Sequence, residues 1–174
     1  MKNWFMLTLV GKDRPGIVAR LTGELHRGNC NLGEASMTRL GGNFTIMLMV
    51  QFEGVTASLE RIIAPVCDSL GLKCHVDLIE GELHRHLEPD VRISVHGADR
   101  AGIVSEVTHA LAEAGLNILN LESDVGGTEQ HPIYIMQIEG IASRGTDIVR
   151  EALDILAREK DVDTELSEIE IFRG

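Results

Sequence analysis

Two short runs carry residue types from which a binding site can be made. They are Gly11-Lys12-Asp13-Arg14-Pro15-Gly16 and, 86 residues later, Gly97-Ala98-Asp99-Arg100-Ala101-Gly102, each followed at once by Ile-Val. Pro15 suits the first turn of a helix, where its missing N–H has no intrahelical bond to lose. A helix starting there presents free N–H groups and the positive end of its dipole, and both favour a carboxylate. Gly16 and Gly102 have no side chain to bar a ligand from that end. Asp13 and Asp99 stand beside it as acceptors for an ammonium group, and Asn31 and Asn117, which open a later strand, offer side-chain amides. Donors for a carboxylate next to an acceptor for an amine describe a site for a small amino acid. The candidate ligand-binding set is therefore Gly11, Asp13, Arg14, Gly16 and Asn31, with Gly97, Asp99, Arg100, Gly102 and Asn117 in the second copy. The same residues admit a purely structural reading. An Asp just ahead of a helix caps it, Pro-Gly serves turn geometry, and Arg14 and Arg100 are satisfied by solvent or a nearby carboxylate.

Other chemistry finds little support. Gly11-x-x-x-x-Gly16 begins like a phosphate-binding loop, but Ile17-Val18 stand where Lys-Ser/Thr is needed. His84 and His86 lack a third ligand at suitable spacing, and His26, His75, His96, His109 and His131 share no pattern. No metal site or cofactor is expected. Neither a Gly-x-Ser-x-Gly elbow nor a Cys-His constellation occurs, so no catalytic residue is expected.

Composition narrows the partners. The 174 residues carry 16 Lys+Arg against 27 Asp+Glu, a net charge of −11. Such a field repels phosphate backbones and anionic lipid heads, so direct nucleic-acid or membrane binding is not expected, and any control of genes would pass through a protein partner. Cys30, Cys67 and Cys74 are odd in number and lack a Cys-x-x-Cys pair, which reads as free thiols in a reducing cytosol. The apolar start, Trp4 to Val10, runs into Lys12, Asp13 and Arg14 without a small-residue cleavage site. No apolar run reaches the roughly 20 residues of a membrane span. A cytoplasmic protein is the expectation.

The elements that must position the two loops repeat as well. A shift of 86 carries Asp13 to Asp99, Gly16 to Gly102, Leu25 to Leu111 and Asn31 to Asn117. Register then slips by three, matching Phe44–Met47 to Ile133–Met136, which makes the second hairpin longer. Each copy reads strand (Trp4–Val10; Val91–His96), then a helix with the stripe Ile17, Val18, Leu21, Leu25 or Ile103, Val104, Val107, Leu111. Gly28 and Gly115 fall at the helix ends. Two strands follow, flanking Gly41-Gly42 or Gly126-Gly127 as tight turns. A second helix carries Leu59, Ile62, Ile63, Val66 and Leu70, or Ile148, Ala152, Ile155 and Leu156, with Pro65 expected to bend or shorten the first of these. "KCHVDLI" and "ELSEIEIF" supply the last strands. The order βαββαβ, twice, is an α+β fold of two ferredoxin-like sandwiches. Domain 1 spans 1–84, a linker 85–89 and domain 2 90–174. In Phe44–Phe52, Met47 and Met49 alternate with Ile46, Leu48 and Val50, so the uncovered sheet face is partly apolar and is expected to pack on the sister unit or another subunit.

The runs "LVGKDRPGIVARLTGELHRGNCNLGEASMTRLGGNFTIMLMV" and "VHGADRAGIVSEVTHALAEAGLNILNLES" resemble two ACT domains, the ligand-sensing modules of many enzymes of amino-acid metabolism. The Asp-Arg-Pro-Gly-Ile-Val turn, the Asn opening the next strand and the pattern Ser36, Gly41, Gly42, Phe44 carry the resemblance over nearly the whole chain. A free-standing pair is most similar to the glycine cleavage system transcriptional repressor family. That resemblance implies a non-enzymatic, homo-oligomeric sensor of a small amino acid such as glycine, acting through a transcription factor rather than on DNA. The alternative it implies is a regulatory subunit acting in trans on an enzyme of amino-acid or one-carbon metabolism. Serine-binding members of the family carry His and Asn in the loop where this chain has Gly11 and Asp13, or Gly97 and Asp99, and Ala101 replaces the proline of the second copy.

Overall fold

The structure, a computed structural model, describes residues 2–80, 87–98, 101–128 and 130–169. The chain divides into two compact units, Met1–His84 and Arg85–Gly174. The first contains β1 (Asn3–Lys12), α1 (Ile17–Arg27), β2 (Asn31–Leu40), β3 (Asn43–Phe52), α2 (Thr56–Leu70) and β4 (Lys73–Leu78). The second repeats the order with β5 (Val91–Ala98), α3 (Ile103–Glu113), β6 (Leu116–Thr128), β7 (His131–Ala142), α4 (Thr146–Lys160) and β8 (Val162–Glu168). Both sheets are antiparallel, in the orders β2-β3-β1-β4 and β6-β7-β5-β8. Two of the expected linker residues, 85 and 86, lie outside the described residues, as do His84 and residues 170–172 of the expected last strand; that strand begins earlier, at Val162.

Strand parity builds each core. In β1, Phe5, Leu7 and Leu9 point to the helices and are essentially inaccessible, as are Ile46, Leu48 and Val50 of β3. Ile17, Leu21 and Leu25 of α1 close over them. Val18 does not join: it is 39% exposed, because residues 17, 21 and 25 already fill one face of the helix. In α4 the buried residues are Val149, Leu153 and Leu156, while Ile155 lies 42% exposed, so the buried stripe is rotated from the one expected. Pro65 neither shortens nor splits α2, which runs 15 residues like α4. It sits on the solvent face, where water can take up the Arg61 carbonyl its ring leaves without an N–H partner.

Gly28 and Gly115 stand at the helix ends as expected, Gly28 as the C-cap of α1, but the glycines differ in what they do there and at the hairpins. The left-handed residue after α1 is Asn29 (φ 58°), the counterpart of Gly115 (φ 85°), and Gly28 is right-handed. Gly28 is needed instead because a Cβ there would stand 2.8 Å from an Ile62 methyl. Gly41-Gly42 do form the first hairpin turn, both with positive φ. Gly126-Gly127 do not form the second: they pair with Ile133 and Pro132 within the β6–β7 ladder, which continues to Thr128 and His131. Pairing to the central strands also sets the slip at four residues. Leu48 sits opposite Leu7, and its counterpart opposite Ile93 is Ile138. One residue of difference exchanges sheet faces, so Met136 and Ile138 enter the core while Ile133 is 45% exposed.

The faces away from the helices differ between units. On the first sheet that face carries Trp4, Met6, Met47 and Met49. On the second it carries an Arg92–Glu139 ion pair at 2.7 Å and a Gln137–Ser94 hydrogen bond at 2.6 Å.

Candidate functional site

The Gly11–Gly16 loop leaves β1 at the sheet end that also holds the β2–β3 hairpin, since Lys12 pairs with Asn43. The Asp13 N–H donates to the Gly42 carbonyl at 3.0 Å and ties loop to hairpin. Folding the hairpin against the loop brings the Arg39 Nε to 2.6 Å from the Asp13 carboxylate. Asp13 is therefore not the helix cap. That position belongs to Gly16, at φ 85° and ψ 3°, and no side chain caps the helix. The first bond of α1 runs from the Arg20 N–H to the Gly16 carbonyl at 3.0 Å, so the N–H groups of Ile17, Val18 and Ala19 have no partner within the helix. Nothing stands within 4 Å of where a Gly16 Cβ would be. The start of α1 is open, with an acid and a base side by side next to it.

In the second unit, Gly102 repeats the geometry, with φ 92°, no side-chain cap and nothing within 4 Å. Asp99 and Arg100 lie outside the described residues. Two differences separate the loops. The counterpart of Arg39 is Val125, and α3 has Glu106 in its first turn, where α1 has no acid. Glu106 already complements that helix dipole and pairs with Lys160 at 3.4 Å. A cavity of about 630 Å³ opens beside this loop, its walls including His96, Gly97, Arg158, Asp161 and Asp163.

The remaining candidates divide. Gly11 and Gly97 serve packing: a Cβ would lie 2.6 Å from Leu72 Cδ2 in the first and 2.7 Å from Val162 Cγ1 in the second. Arg14 is exposed in the loop. Asn31 is not brought to the loop of its own unit. It pairs with Gln51, which pairs with Trp4, and Gly11 lies seven residues along β1, roughly 23 Å at the strand rise. Asn117 sits likewise at the far end of its sheet, opposite Ile141. Arg39 is the residue that sequence reasoning passed over. Its only signal is a basic side chain two places before the Gly41-Gly42 turn, a position whose meaning appears once the hairpin folds back.

In the Asp13–Arg39 pair Arg39 is 65% exposed and Asp13 half-buried, and pairs this open to solvent contribute about 0–1 kcal/mol. Arg39→Ala is accordingly expected to shift the unfolding midpoint in urea by no more than the equivalent of about 1 kcal/mol. A larger loss would mean that the pair holds the loop in place.

No helix among the described residues is long and apolar enough to cross a membrane, and none of their His, Cys, Asp and Glu side chains cluster as a metal site. Comparison with known proteins gives matches to ACT-domain models over residues 3–77 and 91–161. A UPF0237 protein of Listeria monocytogenes is 32% identical over 74 residues, 41% of this chain and 83% of the relative. A crystal structure of an unknown protein from Galdieria sulphuraria superposes with a TM-score of 0.77 at 25% identity, covering 98% of this chain and all of the other. A protein provisionally named a glycine cleavage system transcriptional repressor shares the fold, with a TM-score of 0.73 at 18% identity over 98% and 99% of the two chains.

Proposed function

The chain belongs to the ACT-domain family, and on that premise we propose that it is a non-enzymatic regulatory protein that senses a small amino acid. ACT domains are regulatory modules, and amino-acid binding is typical of them. The observation that carries the reading is the uncovered start of α1 beside Asp13 and Arg39. Free N–H groups and the guanidinium favour a ligand carboxylate, and the Asp13 carboxylate favours the ammonium group. The first loop suits this task better than the second, which has Val125 for Arg39 and an acid in the helix turn. Asn31 and Asn117 stay outside a site built within one unit.

The net charge of −11 supports action through a protein partner rather than on DNA. One structural neighbour's provisional name, glycine cleavage system transcriptional repressor, supports a role in transcription; a transcription factor as the partner and glycine as the ligand complete the proposal. A homo-oligomeric state belongs to the same proposal, as does a cytoplasmic location. A ligand regulates only if it binds one arrangement better than another, so the amino acid must change affinity for the partner.

Isothermal titration calorimetry with a panel of amino acids, glycine and serine included, tests the reading. Binding by the full chain is expected, with Asp13→Ala or Arg39→Ala weakening it at least tenfold and Val125→Ala, at the exposed counterpart of Arg39, leaving it within about twofold, since one lost charge-assisted hydrogen bond is worth about 1.5–3 kcal/mol. Absence of heat across the panel at millimolar ligand, from a chain with native circular dichroism, would overturn it.

A further inference from the structure

The amino-acid site makes no use of Cys67 and Cys74. Cys67 lies in the last turns of α2, where its side chain is buried, and Cys74 lies near the start of β4, exposed. Between them Gly71 takes a left-handed turn (φ 65°), and the Leu72 N–H donates to the Cys67 carbonyl at 2.9 Å. This reversal folds the chain back, and Cys74, paired with the core-facing Leu9, lies on the helix side of the sheet beside Cys67. Both cysteines line one cavity of about 270 Å³, shared with Glu60, Ile63, Asp68 and Leu72, which gives a small solute a way to the buried thiol. The hydrogen bond from the Cys74 thiol lowers the Cys67 pKa, against burial and the Asp68 charge. Cys74 moves the other way: its proton is held by Cys67, and burial and the Cys67 and Glu60 charges raise it further. The second unit has Ala157 and Thr164 at these places, so nothing in the fold itself demands the pair.

We propose that Cys67 and Cys74 form a dithiol modification site that a hydroperoxide converts reversibly to an intramolecular disulfide. The Cys67 thiolate attacks one peroxide oxygen: an S–O bond forms, the O–O bond breaks, and the leaving oxygen takes a proton to depart as an alcohol, or as water from hydrogen peroxide. The Cys74 thiol then attacks the Cys67 sulfur. An S–S bond forms, the S–O bond breaks, and hydroxide leaves as water with the Cys74 proton. Two sulfurs are oxidised and one peroxide is reduced, so atoms and electrons balance. A thiol reductant restores the pair. The cross-link spans the turn against which Gly11 packs, since the Gly71 carbonyl lies 3.3 Å from a Cβ built at Gly11.

The test needs no ligand or partner. The full chain is treated with hydrogen peroxide, blocked with N-ethylmaleimide and digested with trypsin without reduction. Trypsin places the three cysteines in separate peptides, 28–39, 62–73 and 74–85. Mass spectrometry is expected to find 62–73 joined to 74–85, two hydrogen atoms lighter than the pair of free peptides and lost on reduction. Cys30→Ser should retain the product, and Cys74→Ser should remove it and leave Cys67 as a sulfenic or higher acid. Maleimide on Cys67 and Cys74 after peroxide that oxidises Cys30, or disulfides joining Cys30 or two chains instead, would overturn the proposal. Neither result bears on the calorimetry, so the two proposals fail separately.

Discussion

Leu25→Ala and Leu111→Ala are each expected to cost about 2–5 kcal/mol. Both residues are fully buried, at equivalent places in the two units, on the core-facing sides of helices α1 and α3. Each substitution removes the transfer free energy of the lost carbons and leaves a cavity that a close-packed neighbourhood fills only in part. Val18→Ala is the internal contrast. It belongs to the same apolar stripe in the sequence, yet it is 39% exposed. Its replacement is expected to change stability by less than about 0.5 kcal/mol, in part because alanine is the better helix former. Urea unfolding of the three variants distinguishes them. Equal losses at positions 18 and 25 would show that α1 presents a different face to the sheet.

A second large effect is expected at Gly140. A Cβ there would lie 2.5 Å from the Asn117 carbonyl oxygen and 3.2 Å from its carbon, where the β6–β7 ladder shifts register between Ile118 and Asn120. Both atoms are backbone, so relief means moving the edge strand. Gly140→Ala should cost about 3 kcal/mol, the upper range for forced overpacking. Gly126→Ala is the control. It meets only the tip of Ile135 at 3.4 Å, an ordinary contact, and its φ is not positive. Losing a glycine there should be neutral or stabilising by about 0.4–1 kcal/mol, because the unfolded chain has fewer conformations to lose. A tight turn at Gly126-Gly127 would give the opposite result, since alanine is strained at positive φ. The measurement thus also tests where the second hairpin closes.

Sequence alone was enough for what depends on local periodicity. Alternation of two along Phe5, Leu7 and Leu9, spacing of four along Ile17, Leu21 and Leu25, and the repetition of both 86 residues on specify the βαββαβ order twice, because burial rewards the same faces in each copy. The open helix start was legible for the same reason: Pro15-Gly16 acts within a few residues. What the sequence left undecided are distances between segments far apart in the chain. Asp13 meets Arg39 rather than capping its helix, Asn31 stands at the far end of its sheet, and the second hairpin slips by four residues rather than three. Gly28 answers to Ile62 and Gly11 to Leu72, and Cys67 and Cys74 come to line one cavity across a turn. Each is settled by which surfaces meet when strands pair and helices pack. A single residue of register exchanges one sheet face for the other, and no local pattern carries that information.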